Sequence, residues 1–144
     1  MLRIEFMLLI YAFLVNLLWE MLQMPLFTYP VTVTVWQASL ECAQVSAGDA
    51  LMLLVSFWGV ALVRQSRRWI LQPTAGALAL FLVPGLVMTV VFEALATGSW
   101  SRWEYSAVMP VLPITGTGLA PLLQWLLLPL LIAWLVRCWP AGVR

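Results

Sequence analysis

Four long apolar stretches, separated by short polar segments, dominate the pattern of this chain of 144 residues. They cover about 4–24, 38–63, 75–97 and 118–138, and each reaches the roughly 20 residues that a helix needs to cross a bilayer. Backbone groups in lipid must be hydrogen-bonded internally, which favours helices. The pattern therefore predicts an all-α fold: one domain over residues 1–144, with four transmembrane helices in a bundle and an irregular outer loop between the third and fourth helices.

Composition makes lipid the expected surroundings. Hydrophobic residues make up 64% of the chain and charged residues 9%, and the mean hydropathy is +1.00. A soluble domain carries about 25% charged residues, so this chain has too few to cover a surface that faces water. The net charge of +1 excludes a large basic field, and we expect no nucleic-acid partner. The chain has no histidine, and we expect no metal site and no cofactor.

Arginine placement predicts the orientation of the chain. If both termini lie on one side, that side carries every arginine except Arg102, namely Arg3, Arg64, Arg67, Arg68, Arg137 and Arg144. Cytoplasmic loops are enriched in basic residues, so the pattern predicts a protein of the inner (cytoplasmic) membrane with both termini cytoplasmic. No cleavage motif of small residues follows the first stretch, which we expect to be retained as a span. Cys42 and Cys138 then lie on opposite sides and should not pair.

Three polar residues share one face of the first predicted helix. Asn16, Glu20 and Gln23 are spaced i, i+4 and i+7. A charged group that faces lipid near the bilayer centre costs about 2.5–3.5 kcal/mol, so this face should point into the bundle. Hydrogen bonding between helices is the favoured role for Asn16 and Gln23, whereas for Glu20 a structural and a functional role are equally supported.

Two acidic residues, Glu41 and Asp49, lie at the outer end of the second apolar stretch. They share a face with Val45 if the helix starts before Glu41. Alternatively, Asp49 caps a helix that starts with the apolar stretch, a position that aspartate favours, and Glu41 is a solvated residue.

Glu93 lies one turn before Thr97 and Gly98, where the third helix should end. Its depth matches that of polar residues on the other three spans, which indicates one inward-facing cluster near the outer interface. The alternative is an ion pair with Arg102, which pins the loop.

Aromatic residues crowd the loop after Glu93. Trp100, Trp103 and Tyr105, with Trp19 at the same level, fit an aromatic belt at the membrane interface. The alternative is a cover of rings over an apolar ligand. The candidate catalytic residues are Glu93, Glu20 and Asp49, and the candidate ligand-binding residues are Trp100, Tyr105, Gln124, Asn16 and Trp19.

Four segments carry a family resemblance. They are NLLWEMLQMPLF at 16–27, SAGDAL at 46–51, FEALATGSW at 92–100 and YSAVMPVLPITGTGLAPLLQ at 105–124. Together they resemble an uncharacterised family of small four-span membrane proteins found among prokaryotes. The resemblance implies a four-span fold and no particular activity.

A second set of residues, Glu93, Gly98, Trp100 and Tyr105, precedes a proline-containing return to the membrane. This arrangement is similar to that of the membrane-embedded lycopene cyclase and carotenoid hydratase domains. Here extra residues stand before the tyrosine, and APLLQ replaces a Pro-x-Glu-Glu type element. The similarity implies chemistry on an isoprenoid.

Three functions are compatible with these patterns. The first is binding, or acid-catalysed conversion, of an isoprenoid- or lipid-like molecule at the carboxylate cluster, with Glu93 as the acid and Glu20 and Asp49 stabilising a cation. The alternatives are a non-catalytic subunit or assembly factor of a membrane protein complex and a small proton- or cation-coupled carrier. The expected partners are the lipid bilayer, an apolar small-molecule ligand, and either a membrane protein or a second copy of the chain.

Overall fold

A computed structural model of the protein describes residues 2–138. Its four long helices are α1 (Leu2–Gln23), α2 (Val35–Arg64), α3 (Ala75–Thr97) and α4 (Leu119–Cys138). Each is long and apolar enough to span a membrane, which confirms the prediction of an all-α fold with four such helices. Arg144, one of the arginines that predict the orientation, lies outside the described residues.

Two short strands tie together the connections at one end of the helices. β1 (Phe27–Thr28), which follows α1, pairs antiparallel with β2 (Glu104–Tyr105), which precedes α4. The Phe27 ring packs on the Tyr105 ring, with 5.7 Å between centroids, and meets the Trp103 ring edge-on at 6.5 Å. The predicted irregular outer loop therefore contains a strand that fastens it to the first connection. We call this end of the bundle the ribbon end.

The four helices form a ring around a common interior. α1 packs against α2 and α4, and α3 packs against the same two neighbours. The pairing of β1 with β2 puts the first and third connections at the ribbon end. The second connection, 65–74, lies at the opposite end and carries Arg67 and Arg68. We call this opposite end the arginine end.

Helix boundaries follow local signals in the sequence. α1 stops before Pro25, since the residue that precedes a proline disfavours the helical conformation. α2 starts at Val35 because Thr34 and Gln37 form a capping box, in which each side chain bonds the other residue's backbone N–H. α2 therefore has 30 residues and begins earlier than the predicted residue 38.

The interior of the arginine end is apolar and closely filled. Leu8, Phe57, Phe81 and Ile132, one from each helix, are fully buried. Trp69 closes this end: its ring lies 5.3 Å from Phe81, and its Nε1 donates to the Phe57 carbonyl at 3.2 Å. Burial of such side chains is the main source of packing energy in a core of this type.

One ion pair crosses the arginine end. Arg67 Nη1 lies 3.1 Å from Glu5 Oε1 and so links the second connection to α1. Glu5 is 8% exposed, and its Oε2 makes no hydrogen bond within residues 2–138. Arg67 therefore supplies the charge that makes burial of Glu5 tolerable.

Candidate functional site

The amide of Gln124 is the centre of a polar network at the ribbon end. Gln124 lies in the second turn of α4 and is 3% exposed. Its Nε2 is 2.9 Å from Asn16 Oδ1, 3.1 Å from Glu20 Oε1 and 3.0 Å from Asp49 Oδ2. One side chain thus joins α1, α2 and α4 through polar atoms.

The polar stripe of α1 points into the bundle, as its spacing predicts. Gln23 Nε2 donates to Gln124 Oε1 at 3.4 Å, and Trp19 Nε1 donates to Gln23 Oε1 at 3.1 Å. Asn16 Nδ2 donates to the Ala12 carbonyl at 2.7 Å. Asn16 and Gln23 therefore make the hydrogen bonds between helices that were expected of them.

Asp49 reaches the network from the middle of α2. It lies about 21 Å from Val35 along the helix, at 1.5 Å per residue. The interpretation of Asp49 as a helix cap is therefore wrong, because Thr34 is the cap and the helix is already formed before Glu41. The condition for a shared face is met, and Glu41, Val45 and Asp49 all border the same cavity.

Glu93 is hydrogen-bonded to a residue of strand β2. It is 8% exposed, and its Oε2 accepts a hydrogen bond from the Tyr105 hydroxyl. That hydroxyl in turn accepts from the Gly118 backbone N–H at 2.9 Å. Burial, together with the hydrogen bond to Glu93, raises the pKa of Tyr105 above its ordinary value, so Tyr105 stays a donor over the physiological range.

The predicted ion pair between Glu93 and Arg102 is not formed. Arg102 is exposed, and its backbone N–H donates to the Ala96 carbonyl at 2.8 Å as the chain leaves α3. Pairing of β2 with β1 then delivers Tyr105, rather than Arg102, to the carboxylate.

A cavity of about 500 Å³ opens between the helices at the ribbon end. All three candidate catalytic residues, Glu20, Asp49 and Glu93, line it, and so do the predicted ligand-binding residues Gln124 and Trp100. Pockets of about 300–1,000 Å³ with a few convergent polar groups are typical of small-molecule sites. The structure therefore brings together five of the predicted residues around one ligand-sized space.

Three other predicted residues support this wall without lining it. Asn16 and Trp19 lie behind Gln124 and Gln23, to which they are hydrogen-bonded. Tyr105 lies behind Glu93. The cavity boundary, as formed by the described residues, does not include them.

Two aromatic residues of the cavity wall, Phe92 and Tyr29, were not predicted from the sequence. Phe92 lies next to the predicted Trp100, with 6.2 Å between ring centroids, and Trp103 also lines the cavity. Trp103 Nε1 is buried beside the Glu93 carboxyl but does not reach normal hydrogen-bond geometry with any group of residues 2–138. Aromatic residues near a membrane interface are common, so their types alone do not distinguish a cavity wall from a belt.

Trp125, another residue that the sequence did not single out, lies in the cavity wall and packs between α4 and α3. A Cβ atom on Gly85 would lie 1.9 Å from Trp125 Cε3, so the indole packs directly against the α3 backbone. Thr89, one turn further along α3, turns its hydroxyl back to the Gly85 carbonyl at 2.9 Å and also lines the cavity. The sequence signal for this contact was Gly85 after Pro84, because a small residue allows a neighbouring helix to approach closely.

No group of three or more acidic, cysteine or histidine side chains among residues 2–138 has the arrangement of a metal site. Cys42 is buried near the cavity and Cys138 is exposed at the arginine end, and both are free. The chemistry that this site offers is that of carboxyl groups, amides and aromatic rings in largely apolar surroundings.

No family model, no curated protein and no solved structure matches this chain. The resemblance to small four-span membrane proteins and the similarity to cyclase and hydratase domains stay predictions.

Proposed function

We propose that this protein binds an isoprenoid- or lipid-like molecule in the cavity at the ribbon end and that the carboxyl groups there act on it. The observation that carries the proposal is that Glu20, Asp49 and Glu93, from three different helices, line one ligand-sized space within a single chain. Carboxylates that served only to contact a partner protein would be expected on the outside of the bundle. Their inward position favours a small-molecule site over the role of assembly subunit.

The apolar character of the remaining wall supports a lipid-like ligand. Phe92, Val45 and Met52 line the cavity beside the polar residues. Helices of this hydropathy place the cavity within reach of bilayer lipid. A long apolar molecule would bury its chain against these side chains while one reactive position reaches the carboxyl groups.

The chemistry proposed for the site is proton transfer to an alkene. The carboxyl proton of Glu93 adds to one alkene carbon, and the π electron pair forms the new C–H bond. The second carbon becomes a cation, and Glu93 becomes a carboxylate. Glu20 and Asp49 stabilise that cation, and loss of a proton from a neighbouring carbon to Glu93 restores the acid. The Tyr105 hydroxyl orients the carboxyl of Glu93 through its hydrogen bond.

The proposal includes an inner (cytoplasmic) membrane location with both termini cytoplasmic, which puts the ribbon end outside. Arg64, Arg67 and Arg68 at the arginine end support this orientation, because cytoplasmic loops are enriched in basic residues. In a cysteine-free background, Ser99→Cys should react with an impermeant maleimide in intact cells. Gln72→Cys should react only after the cells are opened, and the reverse pattern contradicts the orientation.

The test of the function is native mass spectrometry of the protein extracted gently from its own membranes, followed by organic extraction of co-purifying molecules. We expect a stoichiometric apolar molecule. Glu93→Gln should keep the fold, because glutamine still accepts from Tyr105, but should abolish turnover of that molecule. The matched control is Glu104→Gln, an exposed residue that does not line the cavity.

Two outcomes contradict this proposal. A stoichiometric protein partner with no small molecule favours a subunit of a larger complex. Unchanged turnover by Glu93→Gln removes Glu93 from the acid role, even if the ligand is present.

A further inference from the structure

We infer that the occupant of the cavity carries a positive charge on an otherwise apolar body, and that a lipophilic ammonium ion is the class of ligand that the site prefers. The inference rests on the proposed ligand-binding function and adds the chemistry of the head group. The positive centre belongs at the part of the cavity where Glu20, Asp49 and Gln124 meet.

Charge in the cavity wall is one-sided. Four carboxyl groups line it, from Glu20, Glu41, Asp49 and Glu93, against the single guanidinium of Arg102. Arg102 is exposed and forms no ion pair with any of the four. With Glu93 as a neutral acid, three carboxyl groups still face the one guanidinium, and a bound cation favours the ionised form of those that it contacts. Opposite charge in surroundings of low polarity is a strong basis for selection.

Three acceptor oxygens compete for the Gln124 amide where the carboxyl groups meet. Gln124 Nε2 carries two hydrogens but lies within 3.1 Å of three acceptor oxygens, on Asn16, Glu20 and Asp49. At least one of these oxygens therefore receives no hydrogen from Gln124. A ligand that brings an N–H group or a positive centre to this place gives that oxygen a partner, whereas a ligand with a further acceptor group increases the competition.

Aromatic faces supply the second element of cation recognition. Phe92 and Trp100 form a tilted pair in the wall, and Tyr29 and Trp103 also border the space. Cations are attracted to aromatic faces, most of all to tryptophan, and recognition of ammonium groups commonly combines such rings with carboxylates. A bare metal ion would leave most of a space of about 500 Å³ unfilled, whereas an ammonium ion with an apolar chain uses both kinds of wall.

Tyr29, which lies in the connection between α1 and α2, borders the cavity close to Glu20 and Glu41. Burial, reinforced by the proximity of Cys42, Glu41 and Glu20, raises the pKa of Tyr29 to about 12. Glu20 and Glu41, which help to oppose ionisation of the phenol, are also groups that would attract a cation.

The test uses three probes with one isoprenoid chain: farnesylamine, farnesol and farnesoic acid. Binding is followed by tryptophan fluorescence with the protein in nanodiscs of neutral phosphatidylcholine, and empty nanodiscs correct for partition into lipid. We expect farnesylamine to bind about tenfold more tightly than farnesol and farnesoic acid to bind most weakly. The double variant Glu20→Gln/Asp49→Asn should lose the preference, so that farnesylamine and farnesol bind with similar affinity.

The controls separate this inference from the proposed function. Glu104→Gln removes the same type of charge outside the cavity and should keep the amine preference. Equal affinity for farnesylamine and farnesol overturns the inference and leaves an isoprenoid site standing. An amine preference that survives Glu20→Gln/Asp49→Asn overturns the assigned position of the charge. Absence of saturable binding for all three probes contradicts both proposals.

Discussion

The two ends of this bundle are built from the same four helices but filled in different ways. At the arginine end, Leu8, Phe57, Phe81 and Ile132 meet in a dry, fully buried core. At the ribbon end, the corresponding interior positions are polar, among them Asn16, Glu93 and Gln124, and a cavity of about 500 Å³ remains. We therefore expect the arginine end to provide most of the stability and the ribbon end to hold the proposed site.

The contrast has a physical basis in what fills each space. Apolar side chains can interdigitate to the density of a crystal, so the arginine end leaves little room. Buried amides and carboxyl groups must instead keep hydrogen-bond geometry, as Gln124 does with its three acceptors. Such a network cannot interdigitate as apolar side chains do, and a cavity remains beside it. Four predictions test this division of roles.

The largest effect is expected from truncation of a core aromatic residue. Phe57→Ala should lower the free energy of unfolding by about 3–5 kcal/mol, because it leaves a cavity in the closely packed end. Phe92→Ala, in the cavity wall and already 38% exposed, should cost less than about 1 kcal/mol. Denaturant unfolding in mixed micelles measures both. Equal losses would mean that the two ends share the stability.

The next effect concerns the close contact between α3 and α4. Gly85→Ala should cost about 1–3 kcal/mol, since its Cβ would overlap the edge of the Trp125 indole and force it to move. The near-ultraviolet circular dichroism of tryptophan should change with it. Gly76→Ala is the control, because a Cβ there meets nothing within 4 Å. Similar behaviour of the two variants would show that the Trp125 contact is not a constraint.

The polar network should show strong coupling. Gln124→Leu leaves acceptors on α1 and α2 without their donor and should cost about 1–3 kcal/mol. Asn16→Leu should cost less in the Gln124→Leu background than alone, with a coupling energy of at least about 0.5 kcal/mol. Unfolding measurements on the four members of this cycle give the coupling. Strictly additive losses would contradict a shared network.

The smallest effect is confined to alkaline pH. The pKa of Tyr29 is raised to about 12 from an ordinary value of 10.0. Its contribution to stability is therefore complete below about pH 10 and is lost as the pH rises towards 12. Absorbance at the tyrosinate band, compared between the protein and Tyr29→Phe, should assign to Tyr29 a transition near pH 12. A transition near pH 10 would contradict the burial of Tyr29 beside Glu20 and Glu41.

The sequence by itself determined the number and type of the long elements. Four apolar stretches of bilayer length leave few alternatives, because a backbone in lipid must be helical or closed into a barrel. The spacing of Asn16, Glu20 and Gln23 likewise determined a shared inward face, since helix periodicity is a local property. The sequence also showed that carboxyl groups lie near one end of the spans, since their positions along each helix follow from residue number.

The tertiary structure alone decided which groups meet. Nothing local in the sequence brings Gln124 to Asp49 and Glu20, or Tyr105 rather than Arg102 to Glu93. Those contacts join residues far apart in the chain, and they depend on how four helices pack and how β1 pairs with β2. The same holds for the cavity, because an empty space is a property of several elements together, and no single stretch of sequence encodes it.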